Sequence, residues 1–214
     1  MGAPKLNLDP NEADLIQRVC DGETEAFYAL VEPCERGVFT AAMSILNNAA
    51  DAEEVAQEAV LKAFNALPRF RRESKFSPWL IQITINEARL KLRKDRRHLY
   101  ESIDEPENNE EGDYFPKDFA DWREIPSEEL QRKQLREALR RALDALPQKY
   151  REVLVLRDIQ HLSIQETAQV LGITEGSVKT RLLRARFQMR DALAPGIDGS
   201  WSTGKFEYEK VRPW

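Results

Sequence analysis

The sequence is poor in the residues that carry chemistry. Among 214 residues there are two cysteines, Cys20 and Cys34, and two histidines, His98 and His161. The cysteines have neither CxxC spacing nor a histidine cluster beside them, which argues against zinc and against a structural disulfide and favours buried free thiols. Neither histidine has carboxylates at ligand spacing, so no metal site is expected. No nucleophile–base arrangement and no glycine-rich phosphate loop is visible, and the expectation is no catalytic residue, no cofactor and no enzymatic activity. Apolar runs of the ~20 residues needed to span a bilayer are also missing, so no membrane insertion is expected. The N-terminus, MGAPKLNLDPNEADL, lacks the apolar core of an export signal, and Gly2 lacks the Ser or Thr context of a myristoylation signal. These absences together point to a cytoplasmic protein.

Sustained period-two alternation is absent as well, whereas helical periodicity recurs along the chain. Phe27, Leu30, Val31, Val38, Phe39, Ala42, Ile45 and Leu46 form an apolar series interrupted at Pro33, where a break or kink is expected. Asp51 opens a second helix, with Val55, Ala59 and Phe64 inward and Glu54, Gln57, Glu58 and Lys62 outward, ending at Pro68. Ser77-Pro78 reads as a helix start, a capping hydroxyl followed by proline at the first helical position. That helix runs to about Arg97, burying Trp79, Ile83 and Leu90 while Asn86, Arg89, Arg93, Lys94, Arg96 and Arg97 make its end cationic.

The most specific segment is Leu162 to Arg186, LSIQETAQVLGITEGSVKTRLLRAR. Ser163 and Glu166 stand at capping-box spacing, and Ile164, Ala168 and Leu171 mark a buried stripe. Gly172 falls where a left-handed turn costs least, and Thr174 is placed to cap the next helix. On that second helix Val178, Leu182, Ala185 and Met189 recur at spacings of four, three and four, the signature of a packed face. The opposite face carries Gly176, Lys179, Thr180, Leu183 and Arg184, with Arg181 and Arg186 on its flanks. A capped helix, a glycine turn and a cation-bearing second helix make a helix-turn-helix, whose second helix suits a major groove. Arg184 is the leading candidate for a base contact.

A formal net charge of -5 sits oddly with DNA binding, but the charge is segregated. Residues 1–67 hold 4 basic and 12 acidic side chains, 68–100 hold 10 and 3, 101–127 hold 2 and 10, and 128–195 hold 13 and 9. Two positive blocks are separated by an acidic one, so overall acidity conceals two nucleic-acid surfaces. The acidic block, with Pro106, Gly112, Pro116 and Pro126, reads as a flexible linker, although Tyr114, Phe115, Phe119 and Trp122 are more aromatic than a tether needs. The expected fold is all-α: two small helical domains joined by this linker, the second containing the helix-turn-helix. Boundaries fall at 1–22 for an N-terminal segment, 23–100, 101–127, 128–195, and 196–214 for a tail of unassigned role.

Three segments in this order, DAEEVAQEAVLKAF (51–64), FRRESKFSPWLIQITINEARLKLRKDRR (70–97) and ALPQKYREVLVLRDIQHLSIQETAQVLGITEGSVKTRLLRAR (145–186), resemble the bacterial RNA polymerase sigma factors of the sigma-70 family, specifically the extracytoplasmic-function class, group four. The resemblance covers roughly residues 23–193. It implies a dissociable, non-enzymatic subunit that binds core RNA polymerase, reads minus-ten and minus-thirty-five promoter elements and assists melting, commonly under an anti-sigma factor. On that resemblance Asp51, Glu54, Gln57 and Glu58 become core-polymerase contacts. Asn86, Arg89, Arg93, Lys94, Arg96 and Arg97 fall on the minus-ten DNA, where single-strand capture needs cations along a groove. Lys179, Thr180, Arg181, Leu183, Arg184 and Arg186 fall on minus-thirty-five duplex DNA. Leu183 stands where some relatives carry an aromatic residue. The acidic linker would thread the polymerase cleft or serve as a tether.

Two other readings are weighed against this. A helix-turn-helix regulator acting on duplex DNA without polymerase would carry a receiver or ligand domain with strands, and no strand pattern is seen. A nucleic-acid enzyme would place carboxylates or histidines inside a basic groove, whereas here the carboxylates collect on one helix and in the linker.

Overall fold

The computed structural model describes residues 10–100 and 129–193, with side chains for 11–95 and 135–193. The N-terminal residues 1–9, the acidic segment 101–128 and the tail 194–214 lie outside the described residues, and so do the expectations placed on them. Among the described residues every regular element is helical: α1 (Pro10–Cys20), α2 (Glu25–Val31), α3 (Glu35–Leu46), α4 (Ala49–Ala66), α5 (Phe76–Tyr100), α6 (Glu129–Asp144), α7 (Gln148–Leu154), α8 (Ile164–Leu171) and α9 (Glu175–Leu193). The expected break at Pro33 is a 3-10 turn, Glu32–Cys34, between α2 and α3.

Two helix starts differ from the sequence reading. α4 begins two residues before Asp51, because the Asn48 carboxamide oxygen accepts from the amides of Ala50 (2.9 Å) and Asp51 (3.3 Å). That side chain, in an extended backbone conformation, fills the N-cap role that a short polar residue performs best. α5 begins at Phe76, one residue before Ser77, and its first amide is capped from a distance: Phe76 N donates to the Glu12 carboxylate at 2.9 Å. That contact and the burial of Ile16 (1% exposed) tie α1 to the first helical unit, so the boundary drawn at residue 23 leaves out a helix that belongs to it.

The first unit closes around Ile16, Phe27, Leu30, Val31, Val38, Leu67, Phe76 and Leu80. Phe76 and Leu80 lie one turn apart on α5 and are both essentially sealed from water. Full burial of side chains of this kind contributes about 1.5–3 kcal/mol each. Trp79 is half-buried against Phe70 (ring centroids 4.6 Å apart) and Phe76 (5.8 Å), in keeping with its core assignment. Leu90, expected inward, is instead exposed, since the α5 surface beyond Ala88 points toward a cleft. Cys34 is buried as expected, but Cys20 is exposed at the end of α1.

The helix-turn-helix forms as its sequence dictates. Glu166 N donates to Ser163 Oγ (3.1 Å) and Ser163 N donates to Glu166 Oε2 (2.7 Å), the reciprocal box that satisfies two orphan amides at the start of α8. Gly172 ends α8 at φ +68°, and Thr174 Oγ1 accepts from Ser177 N (3.1 Å) to start α9. Val178, Leu182 and Ala185 are buried and Met189 is partly so.

Two small domains joined by a linker were expected, and beside the first unit's own core a second apolar cluster spans both. Ala41, Ile45, Val55, Ile81, Ile85 and Ala88 of the first unit run without a break into Leu146, Tyr150, Val153, Leu154, Leu162, Val170 and Leu171 of the second. α5 and α3 supply the first unit's side of this contact, and α8 and α7 the second's.

Candidate nucleic-acid interface

Three surfaces hold the residues singled out by sequence. On α4, Glu54, Gln57 and Glu58 are exposed, and Leu61 (60% exposed) continues the same helical face one turn on. Asp51 is half-buried. Lys91 of α5 braces this face, its ammonium lying 2.8 Å from Glu54 and 3.2 Å from Asp51. Hydrogen bonds donated to Glu54 and then to Asp51 raise the Lys91 pKa above its ordinary value. Lys62, likewise raised through its bond to Glu87, links α4 and α5 a few turns away. Of the four residues assigned to this face, Gln57 and Glu58 are therefore more open to an external partner than Asp51. Leu61 adds an exposed apolar side chain to this face, which charge patterning alone did not suggest.

The second surface is the far half of α5. Asn86, Arg89, Leu90, Leu92 and Arg93, together with Gln148 of α7, line a cleft of about 540 Å³. Arg93 and Lys94 are exposed, and Arg93 Nε donates to the Arg89 carbonyl at 3.3 Å. Arg89 behaves differently. Its guanidinium donates to Glu152 of α7 (2.8 Å) and to the Leu171 carbonyl (3.3 Å), so it faces the second unit. Arg96 and Arg97 continue the helix, with side chains outside the described residues.

The loop leading into α5 counts toward the positive 68–100 block, but none of its residues was among the site residues read from the sequence. Arg69, Arg71 and Lys75 are exposed and Arg72 is half-buried, with its backbone left-handed at φ +56°. A non-glycine residue held there costs of order 1 kcal/mol or more and tends to mark a functional turn. The ring pair Phe70–Trp79, tilted by 37°, begins within this run of cations. The signal available beforehand was the run of arginines in PRFRRESK.

The third surface is α9. Lys179, Thr180 and Leu183 (54% exposed) are open, and Thr180 Oγ1 donates to the Gly176 carbonyl at 3.0 Å, fixing its rotamer. Arg181 and Arg184 are half-buried, and Arg184 lies 3.5 Å from the Tyr150 hydroxyl. Arg186 makes a two-pronged bond to Asp158 at 2.9 and 2.7 Å, which raises its pKa and holds the end of α9 on the turn before α8. Lys179, Thr180, Leu183 and Arg184 thus share one face, while Arg186 is engaged within its own unit. Among the described residues no group of three His, Cys, Asp or Glu side chains is placed to hold a metal ion.

The chain thus joins a helix-turn-helix, a cationic helix and an acidic helix face, the layout of a DNA-binding protein. Family models agree on both halves: residues 30–98 match "Sigma-70 region 2" and residues 136–189 match "Sigma-70, region 4". The RNA polymerase sigma-H factor of Pseudomonas aeruginosa is 33% identical over 186 residues, covering 86% of this chain and 94% of the relative. The extracytoplasmic-function sigma-E factor of Escherichia coli K12 is 32% identical with the same coverage, and SigW of Bacillus subtilis is 30% identical over 83% of this chain and 94% of its own. In solved structures the fold is similar to CnrH in complex with the cytosolic domain of CnrY (TM-score 0.59, 25% identity, 87% of this chain and 99% of that one). It is also similar to RpoE in complex with the anti-sigma factor NepR from Bartonella quintana (TM-score 0.60, 24% identity, 78% and 96%). The chain belongs to the sigma-70 family, in its extracytoplasmic-function class. It is accordingly a non-enzymatic specificity subunit that directs core RNA polymerase to promoters.

Proposed function

We propose a division of labour among the three surfaces. The first unit, residues 10–100, binds core polymerase through the α4 face of Glu54, Gln57, Glu58 and Leu61, with Asp51 acting mainly through Lys91. It meets the melted minus-ten strand with Asn86, Arg89, Arg93, Lys94, Arg96 and Arg97 and with the cationic loop Arg69–Lys75. The observation that supports this is the separation of charge on one unit: acids collect on the outer face of α4, and cations on the loop and on α5 beyond Asn86. A single strand is held by cations that track its phosphates and by flat side chains on which unstacked bases lie, the combination that the loop and Phe70–Trp79 offer.

The second unit, residues 129–193, reads the minus-thirty-five duplex with Lys179, Thr180, Leu183 and Arg184, and Arg181 follows a phosphate. Leu183 is suited to a thymine methyl. Arg186 serves first as the strut to Asp158. One structural relative, RpoE, is a sigma factor solved with the anti-sigma factor NepR, and we infer that this chain too has an anti-sigma partner. Its place of action is the cytoplasm, where polymerase and promoter are; no helix among the described residues is long and apolar enough to cross a membrane.

Run-off transcription with purified core polymerase and two charge variants tests this assignment. Reversing Glu54 and Glu58 to Lys is expected to reduce co-purification with core. Replacing Lys179 and Arg184 with Ala is expected to leave core binding intact and to erase the upstream part of the promoter footprint. Loss of core binding by the α9 variant, or none by the α4 variant, would reverse the assignment.

A further inference from the structure

α5 carries both the DNA-facing cations of the first unit and the polar side chains that hold the second, and the two uses coincide at Arg89. Its partner Glu152 has a side chain only 5% exposed, and the other carboxylate oxygen accepts from Gln148 at 2.6 Å. Two turns earlier on α5, Gln82 donates to the Gln169 carbonyl at 3.3 Å. Gln169 and Leu171 lie in the last turn of α8, where carbonyls run short of partners within the helix; the Gln169 carbonyl also accepts from Gly172 N at 3.3 Å. α5 therefore caps the C-terminal end of the first helix of the helix-turn-helix.

The reverse holds too. Arg151 of α7 reaches into the first unit, donating from Nε to the Ser44 carbonyl (2.7 Å) in the last turn of α3, while Gln160 donates to the Gly37 carbonyl (2.8 Å). Each unit completes helix ends of the other, and the apolar cluster continues between them.

A carboxylate that holds a guanidinium offers it the same charge-assisted acceptor chemistry as a phosphate. We propose that Glu152 is an internal substitute for the DNA backbone: without polymerase the chain rests closed, with Arg89 engaged by Glu152 and the Leu171 carbonyl, and α5 cannot present Arg89 to a promoter until α7 and α8 leave it. This rests on the reading that Arg89 meets minus-ten DNA. The exchange is all-or-none for a physical reason. Taking Arg89 away while the units stay packed strands a buried carboxylate, a severe penalty, whereas separation returns Glu152 to water. The exposed cations of α5, Arg93 and Lys94, are outside this control, so the closed state withholds one specific contact on the helix and leaves its general attraction for DNA in place.

The test uses the full chain in a Cys20→Ser background, with fluorophores at Glu53→Cys on α4 and Gln165→Cys on α8, both exposed positions. Glu152→Gln, nearly isosteric, is expected to lower energy transfer between the labels. It should also raise affinity for a short mixed-sequence single-stranded DNA on the order of tenfold, the scale of a charge-assisted bond. Arg89→Ala should also lower transfer but gain no affinity. Unchanged transfer in Glu152→Gln with native helicity overturns the latch. Lower transfer with no gain in affinity keeps the latch and takes Arg89 off the DNA, which overturns the reading beneath it. If Glu152→Gln does not fold, Gln82→Cys with Gln169→Cys, joined by a cleavable thiol crosslinker, decides the matter in the reconstituted holoenzyme. Promoter transcripts should appear only after cleavage, and full transcription by the crosslinked protein overturns the proposal.

Discussion

Replacing Arg151 with Met would test how much the joint between the two units depends on one guanidinium. Arg151 is 8% exposed and donates to two carbonyls, Ser44 of α3 at 2.7 Å and Asp144 at the end of α6 at 2.8 Å. Methionine keeps most of the aliphatic stem, so little packing is lost. The Asp144 carbonyl, at a helix end, can turn to water. The Ser44 carbonyl cannot do so readily, because Ser44 is only 3% exposed. Stranding one buried acceptor costs about 1–3 kcal/mol. Part of this is offset by removing a charge that burial disfavours, which is why the Arg151 pKa is pushed down. The balance remains destabilising because the acceptor stays behind, and for a chain of this size each kcal/mol shifts the thermal midpoint by about 2–4 °C. A fall of roughly 2–12 °C is therefore expected by scanning calorimetry. The transition should also broaden or split, since the donor lies in one unit and the acceptor in the other. Arg93→Met, at an exposed position, should change stability by less than about 0.5 kcal/mol. A midpoint for Arg151→Met indistinguishable from that control would refute the reasoning, showing that water replaces the guanidinium without cost.

Three further expectations concern single residues. Arg184→Ala should cost on the order of 1–3 kcal/mol at one minus-thirty-five position, measured by binding to a panel of promoter variants; an equal loss on every sequence would make Arg184 a phosphate contact. Ser163→Ala should destabilise by about 1 kcal/mol in urea titration, because Glu166 N loses its acceptor, and unchanged stability would show the box to be redundant. Burial pushes the Cys34 thiol pKa up, so its stabilising contribution is complete below the unfolded thiol's pKa of roughly 8.5 and is lost as pH rises through the higher folded value. Cys34→Ala should accordingly flatten the fall in stability above about pH 8.5, and a slope equal to that of the unaltered protein would count against the assignment.

What was legible in the sequence was what short-range chemistry decides. Ser163 with Glu166, Gly172 at its left-handed turn and the Val178–Leu182–Ala185 stripe depend on neighbours within a few residues, and each formed as read. The start of α5 was off by two residues, Phe76 for Pro78, because its cap comes from Glu12, 64 positions away, which no local pattern reveals. α1 went unnoticed for the same reason: its buried residue, Ile16, acquires meaning only from the helices that close over it. On the functional faces, residue type was legible and engagement was not. Arg89 and Arg93 look alike in sequence, yet one is tied to Glu152 and the other is exposed. Leu90, expected inward, is exposed at 42%, and on α6 the covered stripe runs through Ala138 and Ala142 while Leu135 and Leu139, exposed at 44 and 40%, face outward.

Between α7 and α8 the backbone widens into a π-helical turn, Val155–Ile159, in which Gln160 N reaches back five residues to the Val155 carbonyl at 3.0 Å. A turn of this kind holds one more residue than an α-helical turn, and each residue in an α-helix advances the direction of the side chains by about 100°. Asp158 faces Arg186 and Gln160 faces Gly37 only because that extra residue is present. A one-residue deletion between 155 and 159 would therefore act as a rotation, regularising the helix while turning both side chains off their partners. Length at this point is a constraint as strict as the identity of any residue on α9: the segment should accept substitutions far more readily than the loss of a single codon.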